Sequence, residues 1–266
     1  EFYANPIQGA YAIPMASLAE VVEKCLSDHK HIGDNFSYKA VYKKIFDDLC
    51  GIKFRQEQFS EDHYKEIIKY FKSIDSKEIE ILVPIYGLEV DTEEPIKIAN
   101  FTIYGVSHYA TLKKKLVNED DEIFSALINQ QENHVSCKVT ACEPIKGYEK
   151  ASILLEQLEN IFKLFCYGRR DYQDVGIFKY DLVHERKHIA FSGGRKLNWS
   201  LAKEGASVPM KISDVLEKGL FTKIIEKLSS PSLNKMEKQL MIAIDFCGRA
   251  SCEKQPCLGF LFCMFG

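Results

Sequence analysis

The run His184-Glu185-Arg186-Lys187-His188 satisfies H-E-x-x-H, the spacing most suggestive of chemistry in this chain. On a helix, histidines four residues apart share a face and can bind one zinc ion, with the glutamate as general base. The neighbours argue against that. Ile177-Phe178-Lys179-Tyr180-Asp181-Leu182-Val183 and Ile189-Ala190-Phe191-Ser192 read as extended, and in a strand such side chains lie roughly 13 Å apart. Arg186 and Lys187 would also repel a cation, and the candidates for a third ligand, Glu204 and Glu217, have no surrounding motif. A solvated strand edge accounts for these residues better than a metal centre, so no metal and no cofactor is expected.

Other candidates have similarly ordinary readings. His29 and His31 flank Lys30 beyond the first helical pattern, where cations complement a helix C-terminus. Gly193-Gly194-Arg195-Lys196 could hold a phosphate but lacks a nucleotide-binding fingerprint and reads as a hairpin turn. Arg169-Arg170 follows a helix as a charge cap. There is no G-x-S-x-G nucleophile elbow. The nine cysteines include Cys247, Cys252 and Cys257 at five-residue intervals but no C-x-x-C pair. They fit buried thiols in a reducing cytoplasm.

The surrounding chain must position whatever acts. It has 266 residues, 46% hydrophobic and 27% charged, and 35 Lys+Arg against 38 Asp+Glu give a net charge of −3. This is a globular composition, with no global basic coat for nucleic acid and no apolar run long enough to span a membrane. Residues 1–14 read as a loose arm or extension without signal-peptide character.

Leu18, Val21, Val22, Cys25 and Leu26 keep the helical period, and a polar break with Gly33, Asp34 and Asn35 follows. Tyr38, Val41, Ile45 and Leu49 predict a second helix stopped by Gly51, and Ser60 caps a third through Ile74. Ile79 to Val90 and Ile96 to Tyr104 then predict a long hairpin or two neighbouring strands. A short helix at 121–130, a strand at 134–142, a helix at 148–165 and strands at 177–183 and 188–191 come next. From 211 the pattern is helical, broken at Ser229-Ser230-Pro231 and resumed near Leu233. The fold class is α+β: N-terminal helices, a mixed β-sheet region with a long packing helix, then the first helices of an incomplete bundle.

Leu240-Met241-Ile242-Ala243-Ile244-Asp245-Phe246-Cys247-Gly248-Arg249-Ala250, followed by Glu253, Pro256 and Gly259-Phe260-Leu261-Phe262-Cys263-Met264-Phe265, resembles the opening of an Apea-like HEPN domain. The family positions are Ala243, Phe246, Gly248, Ala250 and Phe260, and Cys247 departs from the aromatic residue common there. Upstream, Val83-Pro84-Ile85-Tyr86-Gly87-Leu88-Glu89, and the strand at 134–142 leading into its helix, are similar to N-terminal regions of such proteins.

The resemblance implies a bacterial antiviral defence protein with an N-terminal sensing region and a C-terminal endoribonuclease that cuts RNA without metal, in the cytoplasm and as a homodimer through its helical domain. In that family an Arg-x4–6-His pair moves the ribose proton and stabilises the phosphorane-like charge. The last histidine here is His188, so no catalytic residue is expected and the chain is expected to be inactive alone. Residues 15–207 would be the sensing domain and 211–266 the start of a C-terminally truncated HEPN-like domain, its apolar tail the inner face of the missing bundle. Asp245 and Arg249, one turn apart, would pair with each other or face RNA. The alternatives are a non-catalytic ligand-sensing and dimerisation module and, behind it, a zinc hydrolase using His184, Glu185 and His188. No membrane partner is expected.

Overall fold

In the computed structural model of the chain, residues 15–115, 132–166, 188–193, 195–200, 210–217, 219–230 and 232–252 are described. The architecture is α+β, as expected. The chain divides into two compact units, residues 1–78 with 140–147 and residues 79–139 with 148–266. Thus the division falls around 78–79 and on both sides of 140–147, while the stretch at 210–211 belongs to the second unit.

The first unit is helical: α1 (Met15–Asp28), α2 (Lys30–Asn35), α3 (Tyr38–Phe54) and α4 (Glu61–Lys72). Its core interleaves Leu18, Val22 and Cys25 with Ile32, Val41 and Ile45, and with Ile67, Ile68 and Phe71. These are the three-and-four spacings of amphipathic helices. Ser60 caps α4 as expected, accepting from the His63 N–H while His63 accepts from the Ser60 N–H. Ser37 caps α3 in the same way, through Ala40, and its own N–H donates to Glu143 Oε1 at 2.5 Å.

Two expectations are corrected here. The polar break at 33–35 is the helix α2, and a Cβ at Gly33 would sit 2.6 Å from the Leu26 carbonyl oxygen, so glycine permits this close turn. Gly51 does not stop α3, which continues to Phe54 and ends where Gln56 takes φ 59°. A glycine inside a helix costs conformational entropy without forcing an end.

The second unit holds a six-stranded sheet in the order β3-β4-β5-β1-β6-β7. Its strands are β1 (Lys77–Ile85), β3 (Ile96–Ile98), β4 (Phe101–Tyr104), β5 (Asn133–Ala141), β6 (His188–Ser192) and β7 (Arg195–Ser200). A separate parallel pair joins β2 (Leu88–Glu89) to β8 (Met210–Lys211). The expected pairing of the 79–90 strand with the 96–104 strand is not formed, because β5 lies between β1 and β4. Residues 96–104 instead fold on themselves, with Ile98 opposite Phe101 and Ala99 at φ 52° in the turn.

The remaining helices are α5 (Tyr109–Lys115), α6 (Pro144–Cys166), α7 (Ile212–Leu216), α8 (Leu220–Leu228) and α9 (Lys235–Cys252). The single helix expected between 211 and 228 is split by Gly219 at φ 58° into α7 and α8. Ala151, Leu155, Leu158 and Phe162 form the buried stripe of α6, and Phe162 meets Phe221 of α8 at 4.9 Å between ring centroids. Residues 1–14, the helix expected at 121–130, the strand at 177–183 and the apolar run after Pro256 lie outside the described residues. No helix among the described residues is long and apolar enough to cross a membrane.

Candidate functional site

Two of the positions singled out in the sequence, Asp245 and Gly248, lie at the contact between α6 and α9, inside the second unit. Asn234 begins α9 with a capping box, accepting from the Glu237 N–H and donating its own N–H to Glu237 Oε2, both at 2.9 Å. Glu237 also takes Lys227 Nζ at 2.7 Å, and that bond, followed by the Asn234 backbone bond, holds its carboxyl below the usual range.

Further along, Met241, Ile244 and Gly248 are buried. A Cβ at Gly248 would lie 2.5 Å from Asn160 Cβ and 2.7 Å from both its Cα and its carbonyl oxygen. Glycine is therefore what lets α9 approach the backbone of α6. Beside this contact, Asn160 Nδ2 donates to Asp245 Oδ1 at 2.5 Å. Asp245 is thus tied to α6, a role different from the two expected of it, pairing with Arg249 and facing RNA. Ala243 and Phe246 are half-buried on α9, and Arg249 and Ala250 lie on the same helix. Phe260 lies outside the described residues.

His188 opens the strand β6, while His184 and Glu185 lie outside the described residues. Among the described residues no group of three His, Cys, Asp or Glu side chains could hold a metal ion.

A second polar constellation was not singled out in the sequence. Thr102 stands opposite Ser136 and Tyr104 opposite His134 across β4 and β5, so these four share one face of the sheet. All four are buried, as is Glu80 of β1. Ser136 Oγ donates to Glu80 Oε1 at 2.6 Å, and Lys115 Nζ of α5 donates to the same oxygen at 2.5 Å and to the Tyr104 hydroxyl at 2.9 Å. The opposite face carries Phe101, Ile103, Val135 and Cys137.

Burial alone would depress the Lys115 ammonium, but Glu80 and then Tyr104 outweigh it and hold its pKa above the ordinary value. Lys115 is therefore a fixed cation and not an amine nucleophile. The Cys137 thiol is pushed up to about 12 by burial and then by the Glu80 charge, so it is no thiolate at neutral pH. The arrangement neutralises a carboxylate inside the sheet and pins α5 to it. In the sequence Glu80 is only the polar member of the alternation Ile79-Glu80-Ile81, and no local signal separates a buried partner from a solvated one.

Two further histidines are structural. His108 accepts the Gly105 N–H on Nδ1 at 2.8 Å, and its Nε2 faces the Thr92 and Glu93 carbonyls at 3.1 and 3.0 Å. That pattern places the single ring proton on Nε2. In the first unit, a cleft of about 300 Å³ between α3 and α4 is lined by Lys44, Asp48, Arg55, His63 and Glu66 among others. Its cations are matched internally, Lys44 by Asp48 at 2.6 Å and Arg55 by Glu57 at 3.2 Å.

No family model, no curated protein and no solved structure matches this chain.

Proposed function

We propose that this chain is the sensing region and opening helices of an RNA-cutting defence protein of the Apea-like HEPN kind, one that cleaves RNA without metal. The observation that supports this reading is the α6–α9 contact. The motif glycine, Gly248, stands where no larger residue fits against Asn160, and the motif acid, Asp245, is bonded beside it. A motif in which the glycine and the acid each meet a packing requirement is what a helical bundle would retain. In this reading Asp245 positions α9, and the RNA-cutting pair stands elsewhere in the full protein, which acts as a cytoplasmic homodimer.

The test is an RNA-cleavage assay in chelator with two proteins: these 266 residues, and the product of the whole reading frame that contains them. The expected result is intact RNA with the first and cutting with the second. Histidine-to-alanine substitution at an Arg-x4–6-His pair should abolish the cutting. A reading frame without such a pair, or cleavage that chelator stops, would overturn the proposal.

A second reading, a non-catalytic sensing and dimerisation module, draws on the outer side of α9. Met236 is 79% exposed and Leu240 54% exposed, one turn apart on that helix, the kind of apolar surface that self-association covers. It expects the whole protein to self-associate and leave RNA intact.

A further inference from the structure

We infer that α9 is a self-association surface on which a second copy of this chain packs in the antiparallel direction, with a twofold axis passing between Met241 and Ile242. This rests on the homodimer of the reading proposed above and adds to it the surface and the direction of the contact.

Met236, Leu240, Ala243 and Cys247 of α9 follow one another at steps of four, three and four residues, the alternation of a coiled-coil seam. At about 100° per residue they fall within about 60° of one another, and about 100° round the helix from the buried side formed by Met241, Ile244 and Gly248. Met236 is 79% exposed and Leu240 54% exposed, while Ala243 and Cys247 are half-buried. Ile242 is exposed as well but falls outside this seam. α9 therefore has two apolar sides, and only one of them is used against α6.

Among the described residues the other large apolar side chains that are exposed are scattered. Tyr70 on α4, Ile153 on α6 and Leu220 on α8 each stand alone on their helix, and Tyr38 and Phe54 lie at opposite ends of α3. On α9 they succeed one another at the spacing a second helix would need.

The order of sizes along the seam argues for a second copy. Its first half carries the long side chains Met236 and Leu240, and its second half the short ones Ala243 and Cys247. An antiparallel copy brings Met236 against Cys247 and Leu240 against Ala243, so each layer of the contact sets one long side chain against one short one. A twofold contact must be complementary to itself, and alternating large with small residues is what fills the space between helices. A parallel copy would crowd Met236 on Met236 and leave a gap where Ala243 meets Ala243. An unrelated helix would need a matching order of sizes, which this seam supplies for itself.

The experiment is sedimentation equilibrium of the full chain across a concentration series, expected to show a monomer–dimer equilibrium. Leu240→Glu should weaken the dimer by about a hundredfold or more, because a change in a twofold contact is felt twice. Ala243→Leu sets a second long side chain against Leu240 and should weaken it by about tenfold. Ile153→Glu, a change at a similarly exposed position on α6, should have no effect. Unaltered circular dichroism and melting identify the folded variants.

Direction is read with Met236→Cys under copper-catalysed air oxidation. About 16 Å of helix separates positions 236 and 247, too far for a disulfide within one chain, so a link between them joins two copies. Peptide mass mapping should find position 236 of one chain bonded to Cys247 of the other.

The proposal is overturned if the chain stays monomeric, if Leu240→Glu leaves the dimer intact, if Ile153→Glu weakens it as much, or if Cys247 is bonded to Cys247 of the second copy instead. Failure of the nuclease reading is distinct. It would appear as a dimer of this kind in the whole reading-frame product that leaves RNA uncut, whereas a dimer insensitive to Leu240→Glu would keep the homodimer of that reading and remove this contact.

Discussion

The two units handle charge in opposite ways. In the helical unit, ion pairs join near neighbours on the surface, Lys44 with Asp48 and Lys65 with Glu61, each one helical turn away, while Glu143 takes a distant partner, the Ser37 N–H. Among the described residues the core of this unit is apolar apart from the cap Ser37, and no charged group is buried there. In the sheet unit, Glu80 takes Ser136 from 56 residues away and Lys115 from 35, and Asn160 reaches Asp245 across 85. Glu159 and Lys163, both buried, pair along α6. Local pairs form wherever the helix forms, so they contribute little to the choice of fold. Distant buried pairs exist in only one arrangement of strands and helices, and every wrong arrangement strands a polar group away from water.

This contrast is broken most directly by removing one cation from each unit. Lys115→Met leaves the Glu80 carboxylate, 7% exposed, without its cation, and the sheet unit should lose about 3 kcal/mol of stability. Lys44→Met removes a cation that lies at nearly the same distance from its acid but with both side chains 29% exposed. It should cost about 0.5 kcal/mol or less. Denaturant unfolding read by the single tryptophan, Trp199 on β7, reports on the sheet unit, and hydrogen exchange at the amides of α1, α3 and α4 reports on the helical unit. Adding Glu80→Gln to Lys115→Met should recover part of the loss, since the uncompensated charge is then gone. Equal losses in the two units would show that burial is not what separates them.

The same contrast separates what was legible in the sequence from what was not. The amphipathic spacing of Leu18, Val22 and Cys25, of Val41 and Ile45, and of Ile67, Ile68 and Phe71 is a local property, and α1, α3 and α4 follow from it. So does the Ser60 cap. The β3–β4 hairpin was hidden because its turn is Ala99-Asn100, without the glycine that usually marks a two-residue hairpin turn. The place of β5 between β1 and β4 depends on pairing between segments far apart, to which periodicity is blind. Glu80 belongs to the same class. The Gly248 requirement was visible only as a motif position, and its reason, the Asn160 backbone, lies 88 residues earlier.

A glycine in each unit gives the next comparison, with opposite signs expected. At Gly248 an added Cβ meets the Asn160 backbone at 2.7 Å, which no side-chain rotation relieves. Gly248→Ala should force α6 and α9 apart and destabilise the sheet unit by about 1–3 kcal/mol. At Gly51 the nearest atom is Arg55 Nη1 at 3.6 Å, ordinary contact with a flexible side chain. Gly51→Ala should therefore stabilise the helical unit by about 0.5–1 kcal/mol through helix propensity. Thermal melts of the two variants should move in opposite directions, and a shared direction would remove the distinction between a glycine required by packing and one merely tolerated.

The smallest expected effect is a pH dependence peculiar to the sheet unit. Asp91, after β2, accepts the Ser213 hydroxyl at 2.6 Å and the Ser213 N–H at 3.3 Å at the start of α7. Chiefly through that hydroxyl bond, its carboxyl is held below the ordinary aspartate value. A carboxyl whose folded value is lowered binds its proton more weakly in the folded chain than in the unfolded one. Its contribution is therefore complete above the ordinary aspartate value and is lost as pH falls through the lower, folded one. The group is exposed, so water screens the effect and only a fraction of a turnover in stability is expected. Asp91→Asn should lower the melting temperature slightly at about pH 6, and the difference from the unmodified chain should shrink as pH falls below the ordinary aspartate value of about 3.9. The remote carboxylate bond of the helical unit, from the Ser37 N–H to Glu143 Oε1, does not involve Asp91, and the melting of that unit should not respond to the substitution. A difference between the two chains that persists undiminished at the lower pH would mean that Asp91 acts through its shape and not through its charge.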